Sequence, residues 1–293
     1  MLVDEFNATA LAKRAALPPL NDFASAELDN FPPYYGWVKC NSGAGEFAMF
    51  SGGDDFVAVR LFWNGSYEKT TLQAWSMLAR SADVALDIGT HTGVYTLAAK
   101  AANPQVTIAA FEPVATNHAR LTLNMRANGM PIGKAYMLAV GEKQELIQFY
   151  TKPNSFRLTT GGSLRAAPNA VATQVEKVAL DAFFPAAAHG RIGLVKIDVE
   201  GFEPQVLEGM RNIVTTAKPV IFFECIQRPS GEAVQRFLEP LGYAFFEVDD
   251  ARRATISRVA AVTPHFDDQG RPILSRVNRI AAVGTDWAKI LNH

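Results

Sequence analysis

Apolar and polar positions along this chain follow the pattern of strands and helices that succeed one another. Short, nearly continuous apolar segments predict strands at 82–88, 107–112, 134–140, 194–199 and 219–226. Segments with apolar residues at helical spacing predict helices between them at 94–102, 115–128, 203–215 and 231–241. Buried strands joined by helical crossovers form a parallel sheet covered on both faces. The pattern therefore predicts a doubly wound α/β fold.

The first part of the chain has a weaker pattern. A short amphipathic helix is predicted at 6–16, ahead of two proline pairs at 18–19 and 32–33. The segment 55–62 alternates like a strand, and 68–80 has the spacing of a helix. We therefore predict two units, an N-terminal helical appendage at 1–45 and one α/β domain at 46–293.

The longest stretch without a regular pattern is 151–173. It contains small polar residues and glycines, among them Asn154, Ser155, Gly161 and Gly162. Long loops in compact domains are often lids or binding loops. The stretch is interpreted as a lid over the site, and an exposed crossover without a role is the alternative.

Composition and charge narrow the class of protein. The chain has 293 residues, 28 of them basic and 29 acidic, and 48% hydrophobic residues, as in an ordinary soluble domain. The absence of both a signal peptide and an apolar run of ~20 residues predicts a cytoplasmic protein that does not bind membranes. The balanced charge argues against a nucleic-acid partner, whereas homo-oligomer formation is left open. With only Cys40 and Cys225, neither a disulfide nor a paired-cysteine metal site is expected.

A glycine turn follows the predicted strand at 82–88. Asp87 lies near the end of this strand, Gly89 and Gly93 lead into a helix, and the next strand ends at Glu112. A strand, a glycine turn, a helix and a second strand that ends in an acid begin a βαβ nucleotide-binding unit. The arrangement predicts a site for an adenosine-containing cofactor.

The spacing of the turn indicates which cofactor it is. Gly89 and Gly93 form G-x-x-x-G, whereas a pyrophosphate requires the G-x-G-x-x-G turn of dinucleotide sites. A carboxylate at Asp87 suits S-adenosylmethionine, whose sulfonium and ammonium groups are positive. Glu112 follows Gly89 by 23 positions, near the spacing of an acid that accepts hydrogen bonds from both ribose hydroxyls. The sequence thus favours S-adenosylmethionine over NAD or FAD.

At these residues the chain resembles the FkbM family of S-adenosylmethionine-dependent methyltransferases. The similarity covers about 54–225, with FWNGSYE at 62–68, AFEP at 110–113, VKIDVEGFE at 195–203 and VLEG at 206–209. The family usually has alanine and then asparagine or histidine after the first glycine, where this chain has Thr90 and His91. The resemblance implies a mostly parallel, seven-stranded, Rossmann-like class I methyltransferase sheet whose terminal hairpin, 244–249 with 279–283, makes the last strand antiparallel. It also implies methyl transfer to hydroxyls of secondary metabolites or glycans.

Candidate cofactor residues lie at the strand ends, because ligands of open α/β sheets bind beyond the carboxyl ends of the strands. Ala139 and Val140 are apolar neighbours suited to an adenine face. Tyr67 and Glu68 either pack in the core or close a wall around the methionine end, with Glu68 paired to its ammonium group. The predicted cofactor residues are Glu68, Asp87, Gly89, Thr90, His91, Gly93, Glu112, Pro113, Ala139, Val140 and Asp198.

Candidate catalytic residues come mainly from the VKIDVEG segment. Lys196, Asp198 and Glu200 alternate with aliphatic residues and so project to one side. Lys196 is expected to pair with a carboxylate such as Glu224, because a buried unpaired charge is costly. Asp198 and Glu200 are candidate general bases for an acceptor hydroxyl. His91 is a third candidate, with a hydrogen bond to backbone or cofactor as the alternative. No metal ligand is assigned, although Asp198 with Glu224 could hold a divalent ion such as Mg²⁺.

Together these observations predict an enzyme that transfers a methyl group from S-adenosylmethionine to a hydroxyl of a small molecule or sugar. Two alternatives remain from the sequence. A nicotinamide-dependent oxidoreductase would share the βαβ start and Glu112. A non-catalytic, S-adenosylmethionine-binding partner subunit would share the whole fold, because fold does not imply function.

Overall fold

A computed structural model describes residues 2–151, 158, 162–163, 169–251 and 255–284. Within these ranges a large mixed sheet carries helices on both faces, and two smaller sheets flank it. The α-helices are α1 Leu2–Ala15, α2 Ser25–Leu28, α3 Phe56–Asn64, α4 Lys69–Ala79, α5 Val94–Ala102, α6 Ala115–Ala127, α7 Leu180–Phe183, α8 Ala186–His189, α9 Glu203–Gly209, α10 Arg211–Ala217 and α11 Arg228–Leu238. The strands are β1 Tyr35–Asn41, β2 Glu46–Gly52, β3 Val84–Ile88, β4 Thr107–Phe111, β5 Ala135–Tyr136, β6 Ala139–Val140, β7 Glu145–Thr151, β8 Gly162–Ser163, β9 Val171–Val178, β10 Ile192–Ile197, β11 Val220–Glu224, β12 Ala244–Asp249, β13 Thr255–Val259 and β14 Asn278–Ala282.

The large sheet has the order β13-β12-β14-β11-β10-β3-β4-β5. The five strands from β11 to β5 are parallel, and β14 lies antiparallel between β11 and β12. The expected terminal pair is confirmed, with Ala244 opposite Ala282. The described part of the sheet has eight strands where seven were predicted, because β13 adds an antiparallel edge. The doubly wound, mostly parallel fold is confirmed.

Apolar cores cover both faces of this sheet. On one face, Trp75 of α4, Leu97 of α5 and Leu121 of α6 are buried together. On the other face, Leu207 of α9 and Leu238 of α11 belong to the second core. Strands buried on both faces are continuously apolar, which is why the sequence pattern located most of them correctly.

The segment 55–62, predicted as a strand, is helix α3 instead. Asp55 caps the helix, since its Oδ1 accepts hydrogen bonds from the amides of Val57 at 3.0 Å and Ala58 at 3.3 Å. Gly65 ends it with a left-handed φ of +74°. An aspartate at the N-cap and a glycine just beyond the end are strong helix signals. They outweigh the apparent alternation of apolar residues between them.

Two further predicted elements are divided in the structure. The strand predicted at 134–140 splits into β5, in the large sheet, and β6, which pairs with β9 in a separate sheet. The helix predicted at 203–215 splits into α9 and α10 at Met210, whose φ of −127° interrupts the helical backbone. A continuous apolar pattern does not reveal such changes of direction, because both parts are buried.

The separate sheet has the order β6-β9-β7-β8 and occupies part of the predicted lid. Strands β7 and β9 are antiparallel, with Thr151 opposite Val171. The expectation of an irregular segment is therefore wrong at its C-terminal end, where 171–173 belong to β9. The residues Asn154, Ser155 and Gly161 of the predicted lid lie outside the described residues, and the lid stays a prediction.

The N-terminal part contains the expected helix, α1, and also an antiparallel hairpin. Strand β1 pairs with β2 from Tyr35 opposite Gly52 to Asn41 opposite Glu46, so the hairpin crosses the predicted boundary between 45 and 46. The division into two units stays a prediction. None of the helices within the described ranges is long and apolar enough to cross a membrane.

Candidate functional site

A cavity of about 470 Å³ lies at the carboxyl ends of β3, β4, β10 and β11. Its volume is in the range of small-molecule sites, and its place is the one that open α/β sheets use for ligands. Gly93 does not line the cavity and lies at the start of α5. The other predicted site residues all line the cavity: Glu68, Asp87, Gly89, Thr90, His91, Glu112, Pro113, Ala139, Val140, Asp198 and Glu200.

The glycine turn brings β3 against the end of β10. Gly89 has a φ of +78°, and a β-carbon there would lie 1.8 Å from the carbonyl oxygen of Asp198. Gly93 has a φ of +99°, and its β-carbon would lie 2.5 Å from Leu121 Cδ1. Only glycine combines this backbone conformation with such close approach. Gly89 thus shapes the cavity wall, whereas Gly93 positions α5.

Asp87 is buried at the base of the turn. The hydroxyls of Thr90 and Thr96 both donate to its Oδ2 at 2.6 Å. Its Oδ1 is buried and has no hydrogen-bond partner among the described residues. Burial raises the pKa of Asp87 above its usual value, against the effect of the two hydroxyls. A buried carboxylate oxygen without a partner fits a cationic or hydrogen-bond-donating group of a ligand.

Glu112 is held by the backbone at the end of β4. Its Oε2 accepts a hydrogen bond from the His91 amide at 2.9 Å, and its Oε1 accepts one from the Val114 amide at 2.9 Å. Burial raises the pKa of Glu112 to about 7. His91 itself has a left-handed φ of +52°, and its Nδ1 lies 3.3 Å from the Thr92 hydroxyl. Asn117 Nδ2 also donates to Oε1, at 3.4 Å, so it is Oε2 that keeps a second lone pair with which the carboxylate can accept from a ribose hydroxyl.

Glu68 precedes α4 with a left-handed φ of +40°. Its Oε2 accepts a hydrogen bond from the hydroxyl of Tyr95 on α5. Burial raises the pKa of Glu68, and Lys196 opposes this shift. Asp250, another acid in the wall, accepts from the Thr71 amide at 2.9 Å and the Thr71 hydroxyl at 2.6 Å.

Lys196 is buried on β10, and its Nζ donates to Asp198 Oδ2 at 2.8 Å. The ammonium also lies 5.0 Å from the centre of the Tyr95 ring. Burial alone would lower the pKa of Lys196, but the negative charges of Asp198 and Glu68 raise it above its usual value. The expected ion pair is therefore confirmed, with Asp198 as the partner rather than Glu224.

Glu200 and Glu224 lie beside this ion pair in the cavity wall. Strand β10 ends at Ile197, so Glu200 lies in the following turn with a left-handed φ of +57°. Burial raises the pKa of Glu200 to about 7, and the negative charges of Asp198 and Glu203 contribute. Burial, with Asp198 and Glu200, also raises the pKa of Glu224 well above its usual value. Lys196, Asp198 and Glu200 thus do line one cavity, but the prediction that strand alternation places Glu200 there is wrong, because the turn after β10 does so.

Several wall residues had not been singled out from the sequence. Ile147 and Phe149 come from β7, a strand that the sequence pattern did not predict. Leu20, Asn21 and Asp22 come from the N-terminal part, which carries no motif. Arg60 and Asn64 lie on α3, and Arg60 belongs to the segment 55–62 that was predicted as a strand. Within the described part of the chain, no three His, Cys, Asp or Glu side chains are placed to hold a metal ion.

The doubly wound sheet, with a cavity at the ends of its parallel strands, is the fold of class I methyltransferases. The residues fit the cofactor: the orphan oxygen of Asp87 suits a positive group, and Glu112 suits a ribose. The model of the methyltransferase FkbM domain matches residues 87–250, more than half of the chain. The chain belongs to the FkbM methyltransferase family.

Three of the solved structures similar to this chain are methyltransferases of low sequence identity. FkbM from Methylobacillus flagellatus KT is 14% identical over 76% of this chain, with a TM-score of 0.42, and the match spans only 52% of that chain. The S-adenosylmethionine-dependent methyltransferase from Agrobacterium tumefaciens is 12% identical over 87% of this chain and 72% of its own, with a TM-score of 0.45. The O-methyltransferase from Bacillus cereus in complex with SAH is 12% identical over 75% and 82%, with a TM-score of 0.40. A comparison with curated proteins finds no match.

Proposed function

We propose that this methyltransferase acts on a hydroxyl of a small molecule or sugar. The observation that carries the proposal is the carboxyl of Glu200, which lies in the cavity beside Asp198 with its pKa raised by burial to about 7. An aliphatic hydroxyl is a poor nucleophile at neutral pH and requires a base. A base works best when its pKa lies near the working pH, and Glu200 meets this condition.

Bound S-adenosylmethionine supplies a methyl group on a sulfonium, which is already an activated leaving group. Asp87 and Glu112 are assigned to its positive end and its ribose, and Gly89 lets the chain approach it closely. Asp198 accepts a hydrogen bond from Lys196 Nζ at 2.8 Å, which holds its orientation. Glu200 takes the hydroxyl proton, and alignment of acceptor and methyl group provides much of the remaining acceleration.

A nicotinamide-dependent oxidoreductase is the weaker proposal. The G-x-x-x-G turn lacks the glycine spacing of a pyrophosphate site, and the family match is to methyltransferases. A non-catalytic subunit is also less consistent with the site. It would have no use for a carboxyl with a pKa near 7 in the cavity wall.

The test is methyl transfer from isotope-labelled S-adenosylmethionine to metabolites of a cell extract, followed by mass spectrometry of the products. We expect labelled methyl ethers and a loss of at least tenfold in their formation by Glu200→Gln. Glu208→Gln, on the exposed face of α9, is the matched control and keeps wild-type activity. Labelled N-methyl or C-methyl products would overturn hydroxyl transfer, and S-adenosylhomocysteine binding without any product would favour the non-catalytic subunit.

A further inference from the structure

Arg60 is a cation of the cavity wall that lacks a carboxylate partner. Its side chain lines the cavity, and no carboxylate of the described residues lies within 4.0 Å of its guanidinium nitrogens. Its Nε is buried and has no hydrogen-bond partner within the same part of the chain. Its Nη2 donates to Ser25 Oγ at 3.2 Å, and the guanidinium lies 4.7 Å from the centre of the Phe56 ring. The side chain is thus held in place, and its Nε–H makes no hydrogen bond within the described residues.

The three described lysines of the cavity wall either have a carboxylate partner or are exposed to solvent, unlike Arg60. Lys196 pairs with Asp198 at 2.8 Å, and Lys177 pairs with Glu142 at 2.8 Å. Lys69 is exposed to solvent. A half-buried cation without a counter-ion loses hydration, and the contacts with Ser25 and Phe56 replace it only in part. An anion bound at Arg60 would therefore be stabilised.

No described carboxylate of the wall pairs with Arg60, and several of them have other partners. Asp198 is bound to Lys196, Glu68 to Tyr95, and Glu112 to backbone amides. Each of them lies beyond 4.0 Å from Arg60. The anion that suits Arg60 therefore has to come from outside the described chain.

Tyr67 connects Arg60 with the reacting end of the cavity. Its pKa is raised well above the usual value, first by burial and then by Glu68 and Asp198, while Arg60 opposes the shift. Tyr67 therefore lies within electrostatic reach of both the guanidinium and the proposed reacting end. A small molecule in this cavity can contact both ends, since one continuous cavity includes Arg60, Asp198 and Glu200.

We propose that Arg60 binds an anionic group of the acceptor, a carboxylate or a phosphate, and so selects anionic hydroxylated molecules. A guanidinium is a planar group with several N–H donors, and it matches two oxygens of either anion. The identity of the bound molecule as the methyl acceptor rests on the proposed function. Anion binding at Arg60 does not rest on it.

The first experiment observes Arg60 directly by NMR in protein labelled with ¹⁵N at arginine. Arg60→Lys removes one Nε–H resonance and so assigns it. Inorganic phosphate and acetate are then titrated at constant ionic strength, with sodium chloride as the reference and the resonance of Arg80, an exposed residue after α4, as the internal control. We expect the Arg60 resonance to move saturably with phosphate or acetate, and the stronger probe identifies the anion class. Movement no larger than that of Arg80, or equal movement with chloride, would overturn the proposal.

The second experiment separates the labelled methyl products by anion exchange. With wild-type protein we expect the main product to be retained on the resin. Arg60→Met is expected to reduce that product at least tenfold with unchanged S-adenosylhomocysteine affinity, whereas Arg80→Met leaves it unchanged and Arg60→Lys restores part of it. A main product that is not retained would overturn the assignment of the acceptor as anionic. If no product forms, the proposed function fails, and the titration still decides whether Arg60 is an anion site.

Discussion

Gly89 and Asp198 lie in van der Waals contact across the switch between β3 and β10. A β-carbon on Gly89 would approach the Asp198 carbonyl oxygen to 1.8 Å and the Asp198 carbonyl carbon to 2.8 Å. The cofactor turn therefore rests on the backbone of the residue whose side chain enters the proposed reacting end. The two halves of the site are fixed relative to each other by backbone, which is a rigid way to align a methyl donor with an acceptor.

Gly89→Ala is expected to disrupt this alignment. The left-handed φ costs about 1–3 kcal/mol for a residue with a β-carbon, and the clash with Asp198 adds to it. We expect a lower melting temperature and a loss of S-adenosylhomocysteine binding of at least tenfold, measured by calorimetry. Gly133→Ala is the control, because a β-carbon at Gly133 meets no atom within 4 Å. Unchanged affinity in Gly89→Ala would show that the turn does not shape the cofactor site.

The grouping of the candidate cofactor residues around one cavity could be predicted from the sequence, because local signals determine it. Gly89, Asp87 and Glu112 occupy fixed positions in a βαβ unit, and their geometry follows from the strand ends. The remaining wall of the cavity, where we propose that the acceptor binds, could not be predicted in the same way. Ile147, Arg60 and Asn21 reach the cavity from three separate segments, and only tertiary packing brings them together. The partner of Lys196 was ambiguous for a related reason, since Asp198 and Glu224 lie near the carboxyl ends of neighbouring strands.

Glu112 is expected to make cofactor binding pH-dependent. Because burial raises its pKa to about 7, the carboxylate that accepts the ribose hydroxyls forms only as the pH rises through that value. The affinity for S-adenosylhomocysteine should therefore increase between pH 6 and pH 8. Glu112→Gln should weaken binding at pH 8 by about 1–3 kcal/mol and abolish the pH dependence. Glu200→Gln is the matched control and keeps the pH dependence of binding, and a flat wild-type profile would contradict the assignment.

The same pKa shift has a consequence for stability. Folding raises the pKa of Glu112 from 4.5 to about 7, so the native state binds more protons than the unfolded state in this window. The contribution of Glu112 to the free energy of unfolding should therefore fall as the pH rises from 4.5 to 7. Urea unfolding of the wild type and of Glu112→Gln at several pH values measures it. If the difference in free energy of unfolding between the wild type and Glu112→Gln does not change from pH 4.5 to pH 7, the raised pKa of Glu112 is contradicted.

Asp55→Ala tests whether the segment 55–62 forms a helix rather than a strand. The Asp55 carboxylate caps α3, and loss of an N-cap costs about 0.5–2 kcal/mol. Urea unfolding should show this loss, and Asp55→Asn should recover most of it because asparagine is also a good N-cap. Asp268→Ala, at an exposed turn, is the control. If the segment were a strand, Asp55→Ala would have an effect no larger than the control.

Asp198 and Lys196 are expected to be energetically coupled. Lys196 is almost fully buried, so Asp198→Asn leaves its ammonium without the partner at 2.8 Å, and Lys196→Met has the reverse effect on Asp198. Each single substitution should lower the free energy of unfolding. The double variant should lose less than the sum of the two, by about 0.5–3 kcal/mol, as for other residues in contact.

Measurement of turnover separates this structural role of Asp198 from a role in the reaction. If Asp198 acts at the reacting end, Asp198→Asn and the double variant should both turn over slowly while S-adenosylhomocysteine affinity stays nearly intact. This should hold even though the double variant is more stable than the sum of the two single effects predicts. Recovery of turnover in the double variant would show that Asp198 serves only to neutralise Lys196.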